Sequence, residues 1–133
     1  MSKAIVLSIA ALACTGMFAQ GSRTVKDGVY SDAQAAAGQK LYVVQCQQCH
    51  GDDLLGNGPF PAVVGDGFVK EWAGQPVSDL FDRMSRTMPA SQPGSLKPDQ
   101  NAAILAYILK ANGFRAGKAD LPADSSALGA IRF

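Results

Sequence analysis

The chain has 133 residues, of which 47% are hydrophobic, with 12 basic and 11 acidic side chains, three cysteines and one histidine. This length favours one domain over two, and the near-balance of charge excludes, as defaults, a basic nucleic-acid binder and an acidic disordered tail. With 14 glycines and 7 prolines, the composition is typical of a small, loop-rich globule and not of a fibre.

The first 19 residues predict a secretory signal peptide. Lys3 supplies a positive charge, a largely apolar run extends from Ala4 to Ala13, and small residues precede the polar stretch that begins at Gln20. The apolar run is short for a bilayer span, so we expect cleavage after Ala19 and not retention as an N-terminal anchor. The mature chain is then an exported protein.

Cleavage would also remove Cys14. Leu12 lies one position too close to Cys14 for a lipoprotein processing site, so we do not expect a lipid anchor. The mature chain keeps Cys46, Cys49 and the single histidine, His50. It loses one base and no acid, which leaves it with no formal net charge.

Three principal helices are predicted. Ser31 and Gln34 form a capping-box pattern that begins a helix over about 32–46. A second helix, over about 77–86, has apolar residues at the spacing of one helix face, namely Val77, Leu80, Phe81 and Met84. A third begins at Pro98, a favoured first-turn residue, and ends at the cap pair Asn112-Gly113.

The segments between and around these helices are predicted to be irregular. Residues 20–29 form a flexible polar arm, and a single domain extends over 30–133. Glycines and prolines exclude regular structure over 51–67, and a single helical turn follows over 68–72. A tail from about 115 packs over the surface, and no segment has a strand pattern. A structureless loop of this length inside a small domain is unusual, and a large apolar cofactor at the centre would explain it.

The sequence Cys46-Gln47-Gln48-Cys49-His50 matches the Cys-x-x-Cys-His signature of covalent haem c attachment. In a helical backbone Cys46, Cys49 and His50 project from one face, so two thiols can form thioethers with the vinyl groups while the imidazole reaches the iron. A thioredoxin-like redox pair would need a βαβ context, and a zinc site would need a fourth ligand, which the mature chain does not supply as Cys or His. A buried structural dithiol is the remaining alternative.

A single histidine requires the second axial iron ligand to be another residue type. Methionine is the usual choice and raises the reduction potential. The mature chain has two, Met84 and Met88. Met84 lies on the apolar face of the second helix, where it can simply fill the core. Met88 precedes Pro89, which disfavours helical backbone, so we favour Met88 as the distal ligand, with Met84 as the alternative.

Taken together, these residues resemble the class I c-type cytochromes over nearly the whole mature chain. The matching segments are CQQCHG at 46–51, PAVVG at 61–65, TMP at 87–89 and AILAYILKANGF at 103–114. The pattern is most similar to small periplasmic cytochromes associated with quinoprotein (PQQ) alcohol dehydrogenases. The resemblance implies an all-α cytochrome c fold, with three principal helices and Gly/Pro-rich loops around one covalent haem c.

The resemblance also implies further roles for single residues. The Pro61 carbonyl would accept a hydrogen bond from His50, although Pro59 nearby leaves a plain turn proline as the alternative. Trp72 would donate its indole N–H to a haem propionate, or simply belong to the core. Gly38 and Tyr107 would lie at the close crossing of the first and last helices.

The predicted function is that of a non-enzymatic electron carrier in the periplasm. The resemblance implies transfer of single electrons between a dehydrogenase, with a quinoprotein as the narrower expectation, and a respiratory acceptor such as an oxidase or another cytochrome. Neither nucleic acid nor stable membrane insertion is expected. The alternative is a haem enzyme or gas-binding protein with an open sixth position on the iron.

Overall fold

The structure, a computed structural model, describes residues 22–133. The predicted signal peptide, its cleavage site and Cys14 lie outside the described residues. Within 22–133, no helix is long and apolar enough to cross a membrane.

Helices form most of the regular structure, which confirms the predicted all-α class. In chain order the elements are β1 (Arg23–Thr24), a 3₁₀ turn (Val25–Asp27), α1 (Asp32–Gln45), α2 (Gln47–His50), α3 (Asp66–Trp72), α4 (Val77–Thr87), α5 (Pro98–Ala111), α6 (Ser125–Leu128) and β2 (Ile131–Arg132). The three principal helices α1, α4 and α5 begin and end within one residue of their predicted limits, because each has a strong local start or stop signal. The short helix α3 begins at Asp66, two residues before the predicted turn.

The crossing of α1 and α5 organises the domain. A Cβ atom added to Gly38 would lie 1.8 Å from the carbonyl oxygen of Ala103. The backbone of α1 at Gly38 therefore lies directly against the backbone of α5, and a residue with a side chain would not fit there. The resemblance implied that Gly38 and Tyr107 share this crossing. Both residues do lie on the two helices, but the atoms nearest Gly38 belong to Ala103 and Ile104, and the Tyr107 ring pairs with Tyr42 at a centroid distance of 5.3 Å.

The start of α1 differs from the predicted capping box. The Ser31 hydroxyl accepts a hydrogen bond from the Gln34 backbone N–H, as expected for an N-cap. The Gln34 side chain does not return to Ser31. Instead its amide donates to the Leu121 carbonyl at 2.9 Å, and its oxygen accepts from the Leu121 N–H at 2.7 Å. A contact between distant parts of the chain therefore replaces the local one.

The predicted flexible arm and surface tail are both built into the fold. Val25 and Val29 are buried in the core, and β1 pairs in parallel with β2, joining Arg23 to Ile131. In the tail, three apolar side chains are buried: Leu121, Leu128 and Ile131. The tail therefore contributes side chains to the core as it packs over the rest of the domain. Isolated apolar residues without periodicity have no local signal that would predict this burial.

Candidate functional site

A mainly apolar cavity of about 560 Å³ lies between α2, the loop after it, and helices α3, α4 and α5. Its size falls in the range of small-molecule and cofactor sites. Its walls include core side chains from α3 and α5, among them Phe68, Ile104 and Ile108. The irregular segment after His50 forms one wall, so the long loop that the sequence predicted borders this space.

The three residues of the Cys-x-x-Cys-His signature line one side of the cavity. Cys46 lies at the break between α1 and α2, and its carbonyl oxygen accepts hydrogen bonds from the N–H groups of Cys49 at 3.1 Å and His50 at 2.9 Å. These bonds hold the segment in one helical turn. The side chains therefore have the i, i+3, i+4 spacing that was expected to bring them to one face. Cys46 and Cys49 are not joined in a disulfide.

The His50 ring is oriented by a hydrogen bond to the loop. Its Nδ1 atom lies 2.8 Å from the carbonyl oxygen of Pro61, as the resemblance implied, and Pro59 does not take this place. Because a carbonyl oxygen can only accept, Nδ1 carries the proton and donates. The other ring nitrogen, Nε2, is then left with a lone pair that can bind a metal. A bond of this kind fixes the ring and increases its basicity as a ligand.

Both methionines of the described chain line the same cavity. Met88 ends α4 with extended backbone angles, φ −119° and ψ 153°, as expected for a residue before proline, and its N–H donates to the Met84 carbonyl at 2.9 Å. Met84 is partly buried and packs against the hydrophobic core. The structure thus brings two thioethers to the cavity, of which Met84 also has a packing role.

Burial raises the pKa of the Cys46 thiol to about 11, and the neighbouring Cys49 contributes in the same direction. The thiols of redox enzymes have the opposite property, a lowered pKa that produces thiolate at neutral pH. The environment of Cys46 therefore does not favour the thiol-redox alternative.

Trp72 and two charged residues occupy the α3–α4 side of the cavity. The Trp72 ring is buried and lies 6.4 Å from Phe68 and 6.3 Å from Phe133 between centroids. Glu71 and Arg83 also line the cavity, and the Arg83 guanidinium lies over the Trp72 ring at 5.8 Å. Sequence reasoning missed this pair. The only available signal was that Arg83 borders the apolar face of α4, next to Met84.

The donor set fits a haem c. The cavity offers an imidazole with a free lone pair, thioether sulfurs on the α4 side, two thiols next to the imidazole, and apolar walls. Imidazole and thioether are the axial ligands of electron-transferring cytochromes c.

The fold and the site together define a c-type cytochrome domain. Residues 33–108 match the family model described as "Cytochrome C oxidase, cbb3-type, subunit III". The chain belongs to this family.

A solved structure shares the fold. The chain is 26% identical to a chain in the crystal structure of the sulfane dehydrogenase SoxCD from Paracoccus pantotrophus, with a TM-score of 0.54. The similarity covers 86% of this chain and 61% of that one, so this chain matches less than two thirds of its neighbour. No curated protein sequence matches the chain.

Proposed function

We propose that this chain is a monohaem c-type cytochrome that carries single electrons. Cys46 and Cys49 hold the haem covalently, and His50 is the proximal iron ligand. The observation that carries the proposal is the arrangement of Cys46, Cys49 and His50 on one helical turn facing a cavity that also receives two methionines. When bound there, a haem c supplies an iron that takes up and releases one electron.

The protein residues then hold and tune the cofactor. The Pro61 carbonyl accepts a hydrogen bond from the Nδ1–H of His50 and so leaves Nε2 free to bind the iron. Met88 is the distal ligand, and Met84, which packs against the core, is the less favoured candidate. Trp72 is proposed to face a propionate. With His50 and Met88 both holding the iron, the protein would leave no position on it for a substrate, which favours a carrier over an enzyme.

We propose a periplasmic protein with a signal peptide over 1–19 and one cytochrome domain over 30–133, to which the preceding arm also contributes because Val25 and Val29 lie in its core. Its partners are redox proteins: a dehydrogenase donor, as implied by the resemblance to cytochromes of quinoprotein dehydrogenases, and a respiratory acceptor. The similar SoxCD chain comes from a dehydrogenase, which supports this class of donor and not a particular one. Because the mature chain has no formal net charge, long-range steering of the partner is expected to be weak.

The experiment is expression in a host with cytochrome c maturation, followed by a denaturing gel stained for covalently bound haem. The wild-type chain is expected to stain and to contain one haem per chain, whereas the double variant Cys46→Ser/Cys49→Ser is not. Gln47→Ala/Gln48→Ala is the matched control, because it changes the two residues of the same signature that carry no thiol, and it is expected to stain like the wild type. A wild-type chain without covalent haem would end the proposal.

A further inference from the structure

Arg83 has a position that the axial ligands do not explain. It lies on α4 beside Met84, lines the cavity, and keeps 63% of its side chain exposed. Its guanidinium is held over the face of Trp72, 5.8 Å from the ring centroid. A cation over an indole is attracted by the ring quadrupole, so the charge is held at the mouth of the cavity and not free in solvent.

The donors of this guanidinium are largely uncommitted. Arg83 Nη1 lies 3.5 Å from the Glu71 carboxylate, beyond the usual hydrogen-bond range, and Glu71 is itself 61% exposed. Ion pairs between exposed side chains are weak, because water and salt screen them. The guanidinium has five N–H donors, and its flat geometry matches the two oxygens of a carboxylate. It is therefore available to a second carboxylate.

Few charged side chains around the cavity could bind an anionic group of a cofactor. Among the described residues that line it, Arg83 is the only lysine or arginine, and Glu71 is the only carboxylate. A haem has two propionate carboxylates, which need a cation or several donors where they leave an apolar pocket. His50 cannot serve, because its two ring nitrogens are used by Pro61 and by the iron.

From this geometry, and on the basis of the proposed function, we infer that Arg83 is a positioning residue that binds a haem propionate at the mouth of the cavity and raises the reduction potential. The cation stabilises the ferrous state relative to the more positive ferric state. Glu71 acts in the opposite direction, both through its own charge and by competing for the guanidinium. Trp72 keeps the guanidinium in place as well as lining the pocket.

The test compares reduction potentials of the holoprotein, measured by spectroelectrochemical titration at one pH and ionic strength. Arg83→Gln is expected to lower the potential. Arg86→Gln removes the same charge from the same helix, but Arg86 is exposed and does not line the cavity. Its shift is expected to be smaller by about twofold or more, because the interaction falls with distance and is screened by solvent. Arg83→Lys keeps the charge without the planar guanidinium and is expected to lower the potential by less than Arg83→Gln does.

A second measurement separates propionate binding from a general charge effect. In resonance Raman spectra, the propionate bending band is expected to move in Arg83→Gln and to stay in place in Arg86→Gln. Equal potential shifts in the two variants, or a propionate band that does not respond to Arg83→Gln, would overturn the inference. Failure of the proposed function is distinguishable, because in that case the wild-type chain has no covalent haem at all.

Discussion

The Nδ1 atom of His50 donates a hydrogen bond of 2.8 Å to the backbone carbonyl of Pro61. The two residues are eleven positions apart along the chain, and the loop that follows His50 returns to the cavity so that its own carbonyl fixes the imidazole. One backbone contact thus connects the loop conformation to the ligand strength of the ring.

Loosening this contact is expected to raise the reduction potential of the holoprotein. Pro61→Ala keeps the carbonyl but frees φ, so the hydrogen bond is weakened, the imidazole becomes less basic and the ferric state is less stabilised. Spectroelectrochemical titration measures the shift. Pro59→Ala, which changes a proline in the same loop without this bond, is expected to leave the potential near the wild-type value. A larger shift in Pro59→Ala would contradict the assignment.

Removing the Met88 thioether is expected to abolish the methionine-to-iron charge-transfer absorption of the ferric protein. In Met88→Ala the potential also falls, because the thioether favours ferrous iron. Met84→Ala is the control and is expected to keep the band. It is expected to lower the free energy of unfolding by less than the roughly 2–5 kcal/mol typical of a fully buried methionine, since Met84 is only partly buried. Loss of the band in Met84→Ala alone would make Met84 the ligand. The open-site alternative would be favoured if the wild-type ferric protein lacked the charge-transfer band and the wild-type ferrous protein bound carbon monoxide rapidly.

Gly38→Ala is expected to destabilise the protein by about 1–3 kcal/mol, measured by denaturant unfolding. An alanine in α1 would gain about 0.5–1 kcal/mol from helix propensity, but its Cβ would lie 1.8 Å from the Ala103 carbonyl oxygen, and overpacking of this kind costs more. The same change at Gly67 in α3 meets no atom within 4 Å and is expected to be neutral or stabilising. Equal stability of the two variants would mean that the helices can separate at little cost.

Gln34→Ala is expected to release the tail around Leu121. Both hydrogen bonds of the Gln34 side chain are lost, and the Leu121 backbone groups must find water, at a cost of about 1–3 kcal/mol. Amide hydrogen exchange at Leu121 reports the change directly. Gln39→Ala, at an exposed position of the same helix, is expected to leave this exchange unchanged. Unaltered exchange in Gln34→Ala would show that burial of Leu121 alone holds the tail.

The pKa of Asp27 is held below its ordinary value by hydrogen bonds from the Thr24 backbone N–H and then from the Thr24 hydroxyl. A lowered folded-state pKa means that this carboxylate stabilises the fold at pH values above its unfolded pKa of about 3.9, and that the contribution is lost as the pH falls through the folded value. Asp27→Asn is therefore expected to be less stable than the wild type near pH 6, with the difference vanishing in acid. A difference in unfolding free energy that is constant with pH would contradict this.

Local signals were enough for the principal helices. Ser31 caps α1, Pro98 begins α5, and Pro89 follows the end of α4, because each acts through neighbours within one turn. The extended backbone of Met88 was predictable for the same reason. The short signature around His50 also predicted three residues that line one cavity, since their spacing is contained in a single helical turn.

Non-local contacts could not be predicted in this way. The pairing of Arg23 with Ile131, and the hydrogen bonds of Gln34 to Leu121, join segments with no shared periodicity, so the arm and the tail were interpreted as peripheral. Arg83 was missed because an exposed arginine on a helix has no local feature that separates it from Arg86. Only its position over Trp72 distinguishes the two.

The sequence by itself determined the chemistry of this protein. One histidine beside two cysteines gives the chain one haem c signature, and under the proposed function the opposite iron ligand would have to come from another residue type. The tertiary structure decided how that chemistry is enclosed: which carbonyl holds the imidazole, which thioethers reach the cavity, which cation lies at its mouth, and how the two ends of the described chain close the core. The physical reason is the distance along the chain over which each kind of interaction acts. Residue identity and helical spacing act within a turn, whereas hydrogen bonds, burial and charge around a cavity depend on segments that meet only after folding.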